Sequence, residues 1–435
     1  MGALKTKPFE RNLALTKMGV SAGFRIAGHE FANLFRGHDS KKSSDRTFYV
    51  EQARRLADEL GRLKGSVMKV GQMLSLYGQY FLPPEAVDVL STLQDDTPPV
   101  SFRSLQPVLK RALGRGAAEL EIDPEPLASA SLGQVHRARR KRDGRELVLK
   151  VQYPGVADAI DSDINTLARL ISMTRLAPRG LNLEAVYAEV REMLHREVDY
   201  QAEVEHTKRY AQLLAGDDRY VVPQVYEDYC SDRVLALSYE PGLSARDPAV
   251  QALPQAQRNA LAEAALDLFL RELFEWGMVQ TDPHFGNYKI RGSQIVLLDF
   301  GATRLFGRGF VEGYREMLRG AIAHDRDMTL RGAEAIGAID LSFPGPVQDA
   351  FFELCELIVE PFRGPYDWGA SDLPRRAGEK IARNALTRYF RIPPREIVFL
   401  HRRLSGVFIL LAALQANWDA RPVLQRRLEA TVAPR

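Results

Sequence analysis

The stretch that most constrains this chain is residues 280–301, Gln-Thr-Asp-Pro-His-Phe-Gly-Asn-Tyr-Lys-Ile-Arg-Gly-Ser-Gln-Ile-Val-Leu-Leu-Asp-Phe-Gly. It places Asp282 and Asn287 in one loop and Asp299 at the end of the strand that follows. Gly292-Ser293 supplies the turn of a hairpin, and the apolar run Ile295–Leu298 reads as its second strand. Transfer of a phosphoryl group needs such a set: a carboxylate beside the attacking oxygen, an amide oxygen on Mg²⁺, and a second carboxylate bridging the metal to the β- and γ-phosphates. An Asp-Phe-Gly turn by itself is common. The ordered series with a strand inside it narrows the reading, provided the upstream parts are present.

Those parts can be sought in order. Leu127-Ala-Ser-Ala-Ser-Leu-Gly-Gln-Val-His136 precedes the strand Glu146–Gln152. Strand, small-residue turn, strand is the form of a loop that covers phosphates, because small residues let backbone N–H groups approach the oxygens. Ala and Ser occupy most of it, and Gly133 is its one glycine, so as a glycine-rich loop it is weak. Lys150 stands alone in the apolar run Leu147–Val151. A strand lysine either points to solvent or, if buried, needs a partner. Residues 155–176 and 182–215 read as helices, the second carrying Glu189, Glu192, Glu197, Asp199, Glu203 and Glu205. Most of these are surface charge by default, and helical spacing would put Asp199 and Glu203 on one face. Val221–Tyr226 and Val234–Gly242 read as strands, with Ser238, Tyr239 and Glu240 placed to line an adenine site. A periodic helix over 254–277 then delivers the chain to the Asp282 loop. No Ala-Pro-Glu follows Asp299, which argues against a peptide substrate.

The N-terminal part is helical in pattern. Ala14–Leu34 can form an amphipathic helix, and Lys5, Lys7, Arg11, Lys17 and Arg25 could meet anionic lipid; a solvated helix packed on the rest of the chain reads better. Residues 48–94 read as two helices, and the second carries Lys64, Lys69 and Gln72 with Gly65 and Gly71. Each glycine weakens a helix by about 1 kcal/mol relative to Ala, so their presence suggests close approach of another backbone. Spacing alone divides evenly between packing and function.

Composition excludes little. At 435 residues, with 45% hydrophobic and 26% charged, the chain is ordinary globular material of two or three domains or one large two-lobed one. A net charge of +3 does not argue for nucleic acid. Cys230 and Cys355 form no metal-ligand spacing and are expected as thiols in a reducing compartment. The charge-free run Leu404–Asn417 is shorter than the ~20 residues that span a bilayer. The expectation is a cytoplasmic, peripheral membrane protein without a transmembrane helix.

Taken in order, the motifs resemble those of the UbiB/AarF family of atypical kinase-like proteins. The match rests on Lys69-Val-Gly71-Gln72 (KxGQ), Ala128-Ser-Ala-Ser-Leu-Gly-Gln-Val-His136 (the Ala-rich loop), Lys150, Glu197-Val-Asp199 (ExD), Glu203, Gln280–Asn287 and Asp299–Arg304. The tail segments Ile392-Pro-Pro-Arg-Glu and Leu400-His-Arg-Arg-Leu-Ser-Gly406 are also similar, so the likeness runs from about residue 45 to 417. Ser129 stands where the family more often has Ala, and the chain lacks the hydrophobic C-terminal pair of the bacterial branch.

The resemblance implies an α+β, bilobal protein-kinase-like fold. Its parts would be an N-terminal helical and basic segment (1–44), a KxGQ helical extension (45–118), a β-rich N-lobe (119–242) and a helical C-lobe (243–435). It implies that Asp282 is catalytic, that Lys150 and Glu203 form a strand–helix ion pair, and that Asn287 and Asp299 hold Mg²⁺. ATP would be bound by Ala128, Ser129, Ala130, Ser131, Gly133, Gln134, Val135, Lys150 and Ser238–Glu240, with Lys69, Gly71 and Gln72 occluding the site against Glu197 and Asp199. The implied activity is ATP binding with slow hydrolysis in support of ubiquinone or other isoprenoid-lipid metabolism at an anionic membrane surface. A lipid ligand and a homodimer or biosynthetic complex are the implied partners. Two rivals stay open: a small-molecule kinase of the aminoglycoside/choline type, whose Asp-x-His-x-x-Asn loop is close to Asp282–Asn287, and a nucleotide-binding pseudokinase.

Overall fold

A computed structural model of the chain describes residues 99–130, 132–174, 183–282, 284–385, 389 and 393–430. The segment 1–44, the KxGQ residues Lys69, Gly71 and Gln72, and Ser131 lie outside them. The chain divides into two compact units, one holding the described residues up to Ala202 together with Val225–Tyr239, the other Glu203–Gln224 and those from Glu240 onward.

The first unit is built on an antiparallel sheet of Leu120–Ala130 (β1), Gly133–Arg140 (β2), Glu146–Gln152 (β3) and Val234–Ser238 (β5), in the order β1-β2-β3-β5. Alternation along β3 sends Leu147, Leu149 and Val151 into the core, fully buried. Helix Phe102–Leu113 (α1) covers the sheet with Leu105, Leu109 and Leu113, four residues apart and so on one face. Helices Val156–Thr174 (α2) and Leu183–Glu197 (α3) add Ile160, Ile164, Val190 and Leu194 to the same core.

Helix α1 ends where Gly114, at φ 53°, turns the chain into a 3-10 segment, Gly114–Glu119. The helix expected over 182–215 is broken into α3 and Tyr200–Leu213 (α4). The break has a tertiary cause. Gln152 Nε2 donates to the Val198 carbonyl at 2.6 Å, which takes that oxygen from the helix. Asp199 then starts the next helix, its Oδ1 accepting from Ala202 N–H at 3.0 Å. The strand expected over Val221–Tyr226 is only Tyr220–Val221 (β4). Pro223 has no N–H to continue a ladder.

The second unit is centred on Gln255–Arg271 (α5), in which Leu261, Ala262, Ala264, Ala265, Leu266, Leu268, Phe269 and Leu270 are all buried. A helix apolar on nearly every side belongs inside a core. It runs into a π-helical turn, Glu272–Trp276, and then Met278–Gln280 (β6). Tyr288–Arg291 (β7) and Gln294–Leu297 (β8) form the expected hairpin, and β8 also pairs in parallel with β4. Thr303–Leu305 (β9) pairs with β6. The helices Arg308–Ala323 (α6), Arg326–Ala335 (α7), Gly345–Val359 (α8), Leu373–Ala385 (α9), Arg395–Ala413 (α10) and Arg421–Glu429 (α11) follow, with a two-stranded pair of Tyr366–Asp367 (β10) and Asn417–Trp418 (β11). Helices α6 and α7 approach so closely that a Cβ on Gly332 would collide with the Met317 backbone nitrogen. Among the described residues no helix is long and apolar enough to cross a membrane.

Candidate functional site

The loop between β6 and β7 carries Asp282 and Asn287. Asn287 Nδ2 donates to Asp282 Oδ2 at 2.9 Å. The Asn287 amide thus uses its N–H on Asp282 and keeps its side-chain carbonyl oxygen as an acceptor. The loop is pinned from inside by His284, whose Nδ1 accepts from Gly286 N–H at 3.0 Å while its carbonyl accepts from Asn287 N–H at 3.0 Å. The accepting Nδ1 fixes the tautomer with its proton on Nε2. At the entrance, Thr281 Oγ1 donates to Ala302 O at 2.7 Å, which ties the loop to the residues after Asp299.

Asp299 lies just beyond β8. Its Oδ1 accepts from Gly301 N–H at 2.9 Å, a local turn bond. A Cβ on Gly301 would stand 3.0 Å from Glu203 Oε2 and 3.4 Å from Asp299 Oδ1, so the two carboxylates flank the same glycine. Glu203 is buried in the first turn of α4. Phe300 is buried with its ring 4.6 Å from that of Tyr210 on the same helix. The Arg304 guanidinium lies 3.5 Å over the Phe399 ring.

The second carboxylate oxygen of Asp282 was not anticipated to have a fixed partner. Arg402 Nη2, on α10, donates to Asp282 Oδ1 at 3.1 Å. The next residue, Arg403, is buried and donates through Nε and Nη2 to Glu272 Oε2 at 3.2 and 3.0 Å. Glu272 Oε1 accepts from the Tyr210 hydroxyl at 2.8 Å. Burial raises the Glu272 carboxyl above its ordinary range, opposed by Arg403; burial pulls Arg403 down, yet Glu272 holds it above its ordinary value. The one sequence signal for these residues was the tail segment Leu400–Gly406, whose two arginines had no assigned role.

In the sheet unit, the Ala-rich segment forms the end of β1, a tight turn and the start of β2, with Ala130 opposite Gly133. Ala128 and Ser129 are exposed and Ala130 half-buried. A Cβ on Gly133 would collide with the Val151 carbonyl oxygen and stand 3.1 Å from the Tyr200 hydroxyl. Tyr153 is pushed up to about 12 by burial, with the Ser129 hydroxyl opposing. The Gln134 side chain is fully buried: Oε1 accepts from Val100 N–H at 2.9 Å, and Nε2 lies 2.8 Å from His136 Nε2. Val135 stands opposite Lys150 in the β2–β3 register. Lys150 Nζ lies 5.3 Å from the centre of the Tyr200 ring. Ser238 ends β5, the Tyr239 ring carries the Arg137 guanidinium at 4.2 Å, and Glu240 accepts from Arg291 Nη1 at 2.8 Å. Glu197 closes α3, and Asp199 caps α4.

Asp299 and Asn287 offer hard oxygen donors of the kind Mg²⁺ takes, and one or two carboxylates suffice where phosphates complete the shell. Among the described residues no group of three or more His, Cys, Asp or Glu side chains is gathered for a metal held by protein alone. The donor set fits a metal brought with a nucleotide.

Comparison with known proteins adds the following. The ABC1 atypical kinase-like domain matches residues 92–331. The chain is 34% identical over 379 residues to "Atypical kinase COQ8B, mitochondrial" of Rattus norvegicus, covering 86% of this chain and 71% of that one. It is 32% identical over 373 residues to "Atypical kinase COQ8, mitochondrial" of Saccharomyces cerevisiae, covering 83% and 73%. Among solved structures, the Rv3197–erythromycin complex from Mycobacterium tuberculosis matches with a TM-score of 0.61 at 24% identity, over 91% of this chain and all of that one. The fold is therefore kinase-like, with a β-sheet unit and a helical unit.

Proposed function

Because the chain belongs to the ABC1 atypical kinase-like family, the UbiB/AarF group its motifs resemble, we propose that it binds Mg-ATP and hydrolyses it slowly in support of ubiquinone or another isoprenoid-lipid metabolism at a membrane surface. The observation that carries the reading is the Asp282–Asn287 bond in a loop stitched to the residues after Asp299. In this reading Asp282 takes the proton of the attacking oxygen, water or a hydroxyl, and its bonds to Asn287 and Arg402 fix the direction of its carboxylate. Asn287 and Asp299 would hold Mg²⁺, which would supply charge neutralisation to the phosphoryl oxygens.

Lys150 takes the α- and β-phosphates, with Glu203 as its partner. The small residues from Ala128 to Gly133, with Gln134 and Val135 behind them, shape the loop over the phosphates, and Ser238–Glu240 line the adenine. Lys69, Gly71 and Gln72 work with Glu197 and Asp199 to keep a protein substrate out. The four-part division at 44, 118 and 242 belongs to the same reading. The membrane and quinone parts rest on membership of the ABC1 atypical kinase-like family and on the resemblance of the motifs to the UbiB/AarF group.

The test follows the γ-phosphate. Purified chain, Mg²⁺ and ATP are incubated with and without anionic liposomes, with Asp299→Asn as control. Free phosphate that rises with liposomes and disappears in the variant is expected. Label carried to an added protein or small molecule would replace the reading with a true kinase, and tight nucleotide binding without turnover would replace it with a pseudokinase.

A further inference from the structure

The loop from Thr281 to Asn287 leaves β6 at Gln280 and re-enters the fold at Tyr288, the first residue of β7. No ladder closes its mouth, because β6 pairs with β9 and β7 with β8. The bond that crosses between the two strand ends is made by side chains: the Tyr288 hydroxyl donates to Gln280 Oε1 at 3.3 Å. The same hydroxyl accepts from Arg403 Nη1 at 2.5 Å, and the Arg403 guanidinium lies 5.3 Å from the Tyr288 ring centre. Arg403 is anchored on Glu272, and Glu272 on Tyr210. Gln280, Glu272, Arg403 and Tyr210 are all buried. The other end of the Gln280 amide, Nε2, is buried with no partner among the described residues, so the orientation of that side chain depends on its bond to Tyr288.

We propose that Arg403, Tyr288 and Gln280 form a clamp that sets the width of the Asp282–Asn287 loop, with the Tyr288 hydroxyl as the positioning group through which it acts. Stability does not call for this arrangement. A buried ion pair gives little net stability relative to apolar residues of the same volume, and its desolvation can outweigh its attraction. What it does give is direction. A guanidinium held at two nitrogens by one carboxylate oxygen presents its third to a fixed point, and the phenol there bridges to Gln280. The residues at the two feet of the loop are thereby held on one rigid group, and Asn287 is the immediate neighbour of one of them. Arg403, Tyr288 and Gln280 are positioning residues in this proposal, acting through the groups assigned to nucleotide and metal.

The inference rests on Asp282, Asn287 and Asp299 being the Mg-nucleotide groups, and the experiment separates the two. Full-length chain is saturated with adenylyl-imidodiphosphate and titrated with MgCl₂, and the rise in melting temperature gives the Mg²⁺ midpoint without turnover. Affinity for the same analogue is also measured without Mg²⁺. Tyr288→Phe and Gln280→Leu each remove one end of the bridge while leaving Arg403 on Glu272. Loss of a group that orients a metal ligand typically weakens metal affinity by 10–100-fold. Each variant is therefore expected to raise the Mg²⁺ midpoint about ten-fold, with unchanged metal-free nucleotide affinity, and the double variant to go no further than either single one.

A lower melting temperature with the wild-type Mg²⁺ midpoint would mean that the hydroxyl is structural only, and would overturn the clamp. Additive effects of the two changes would overturn it as well, since they would then not act through one bond. If Tyr288→Phe does not fold, Gln280→Leu decides alone by the same criterion. A wild-type chain with no Mg²⁺-dependent shift would overturn the reading of the site itself, an outcome distinct from a responsive wild type with unresponsive variants.

Discussion

The turn between β1 and β2 and the loop between β6 and β7 are held in opposite ways. The first is a matter of backbone proximity. Small residues, Ala130 and Gly133, form its closing pair around the buried Leu132, and the third strand lies so near that Gly133 has no room for a Cβ. The second is held by side chains, most of them charged or hydroxylic: His284 inside the loop, Thr281 at its entrance, Arg402 on Asp282, and behind them Arg403, Glu272, Tyr210 and Tyr288. The difference follows from what each segment is proposed to do. A loop that covers phosphates works through its N–H groups and needs closeness. A loop that presents a base and a metal ligand needs side chains held to within a fraction of an ångström, which packing and secondary hydrogen bonds supply.

The sharpest way to break this comparison is at Asp299. Asp299→Asn removes one negative charge from a local turn and leaves the Gly301 bond a carbonyl acceptor, so the fold should stand. Mg-dependent phosphate release should fall at least about a hundred-fold, as when a fixed charge is removed from a transition state. Unchanged melting temperature with lost turnover is the expected pair of results. Retained turnover would remove Asp299 from the site.

The next largest effect should come from the buried pair. Arg403→Leu leaves Glu272 uncompensated in the core, and breaking a buried ion pair in this way costs about 3–5 kcal/mol. Chemical denaturation should show the loss. Adding Glu272→Met to Arg403→Leu should restore most of it, because two apolar residues need no partner. That double variant would keep stability but lose the clamp, so stability and Mg²⁺ response would part company.

These two residues also mark the limit of what the sequence discloses. Asp282, Asn287 and Asp299 could be placed on a loop and at a strand end from local signals alone, since the hairpin that separates them is coded by Gly292-Ser293 and the apolar run after it. The sheet was legible for the same reason. The kinase-like fold could be stated because several such local signals came in a fixed order. Arg402 and Arg403 could not be paired, because their partners lie 120 and 131 residues away and a charged residue on a helix is usually solvated. The break between α3 and α4 was hidden for a similar reason: the bond that ends α3 comes from Gln152, on a strand 46 residues earlier. Helical propensity runs through Val198 and Asp199 without a glycine or proline to interrupt it.

On the sheet side, Gly133→Ala tests closeness directly. The added methyl meets a backbone carbonyl that cannot rotate away, so β2 and β3 must separate locally, at about 1–3 kcal/mol. The matching change in the other loop, Gly286→Ala, meets only the His284 imidazole, at 2.8 Å from Nδ1, and a side chain can give way. Urea melts should show a larger loss for Gly133→Ala. Equal losses would mean that the two loops are not held as differently as their contacts suggest.

The smallest effect should appear in acid, and it extends the contrast to the rest of each unit. In the helical unit Asp217 accepts from Arg219 at 2.9 and 2.8 Å and from Arg271 at 2.9 Å. Arg219 also reaches the buried Asp267, which Arg427 holds from its other side. The Arg219 guanidinium holds the Asp217 carboxyl down at about 2. A carboxyl whose value is depressed on folding contributes stability above its unfolded value, near 4, and loses it as pH falls through the folded one. Asp217→Asn should therefore cost about 1–2 kcal/mol at pH 7, and the gap from wild type should close between about pH 4 and pH 2. In the sheet unit Asp143 is also held at about 2, by Arg140, whose guanidinium is buried, but the Asp143 carboxylate itself stands exposed on a turn, where water screens it. Asp143→Asn should accordingly change the pH 7 melt less than Asp217→Asn does. If Asp143→Asn proves the costlier change, the sheet unit depends on charge as much as the helical one, and the contrast between backbone closeness and side-chain anchoring holds only at the two loops.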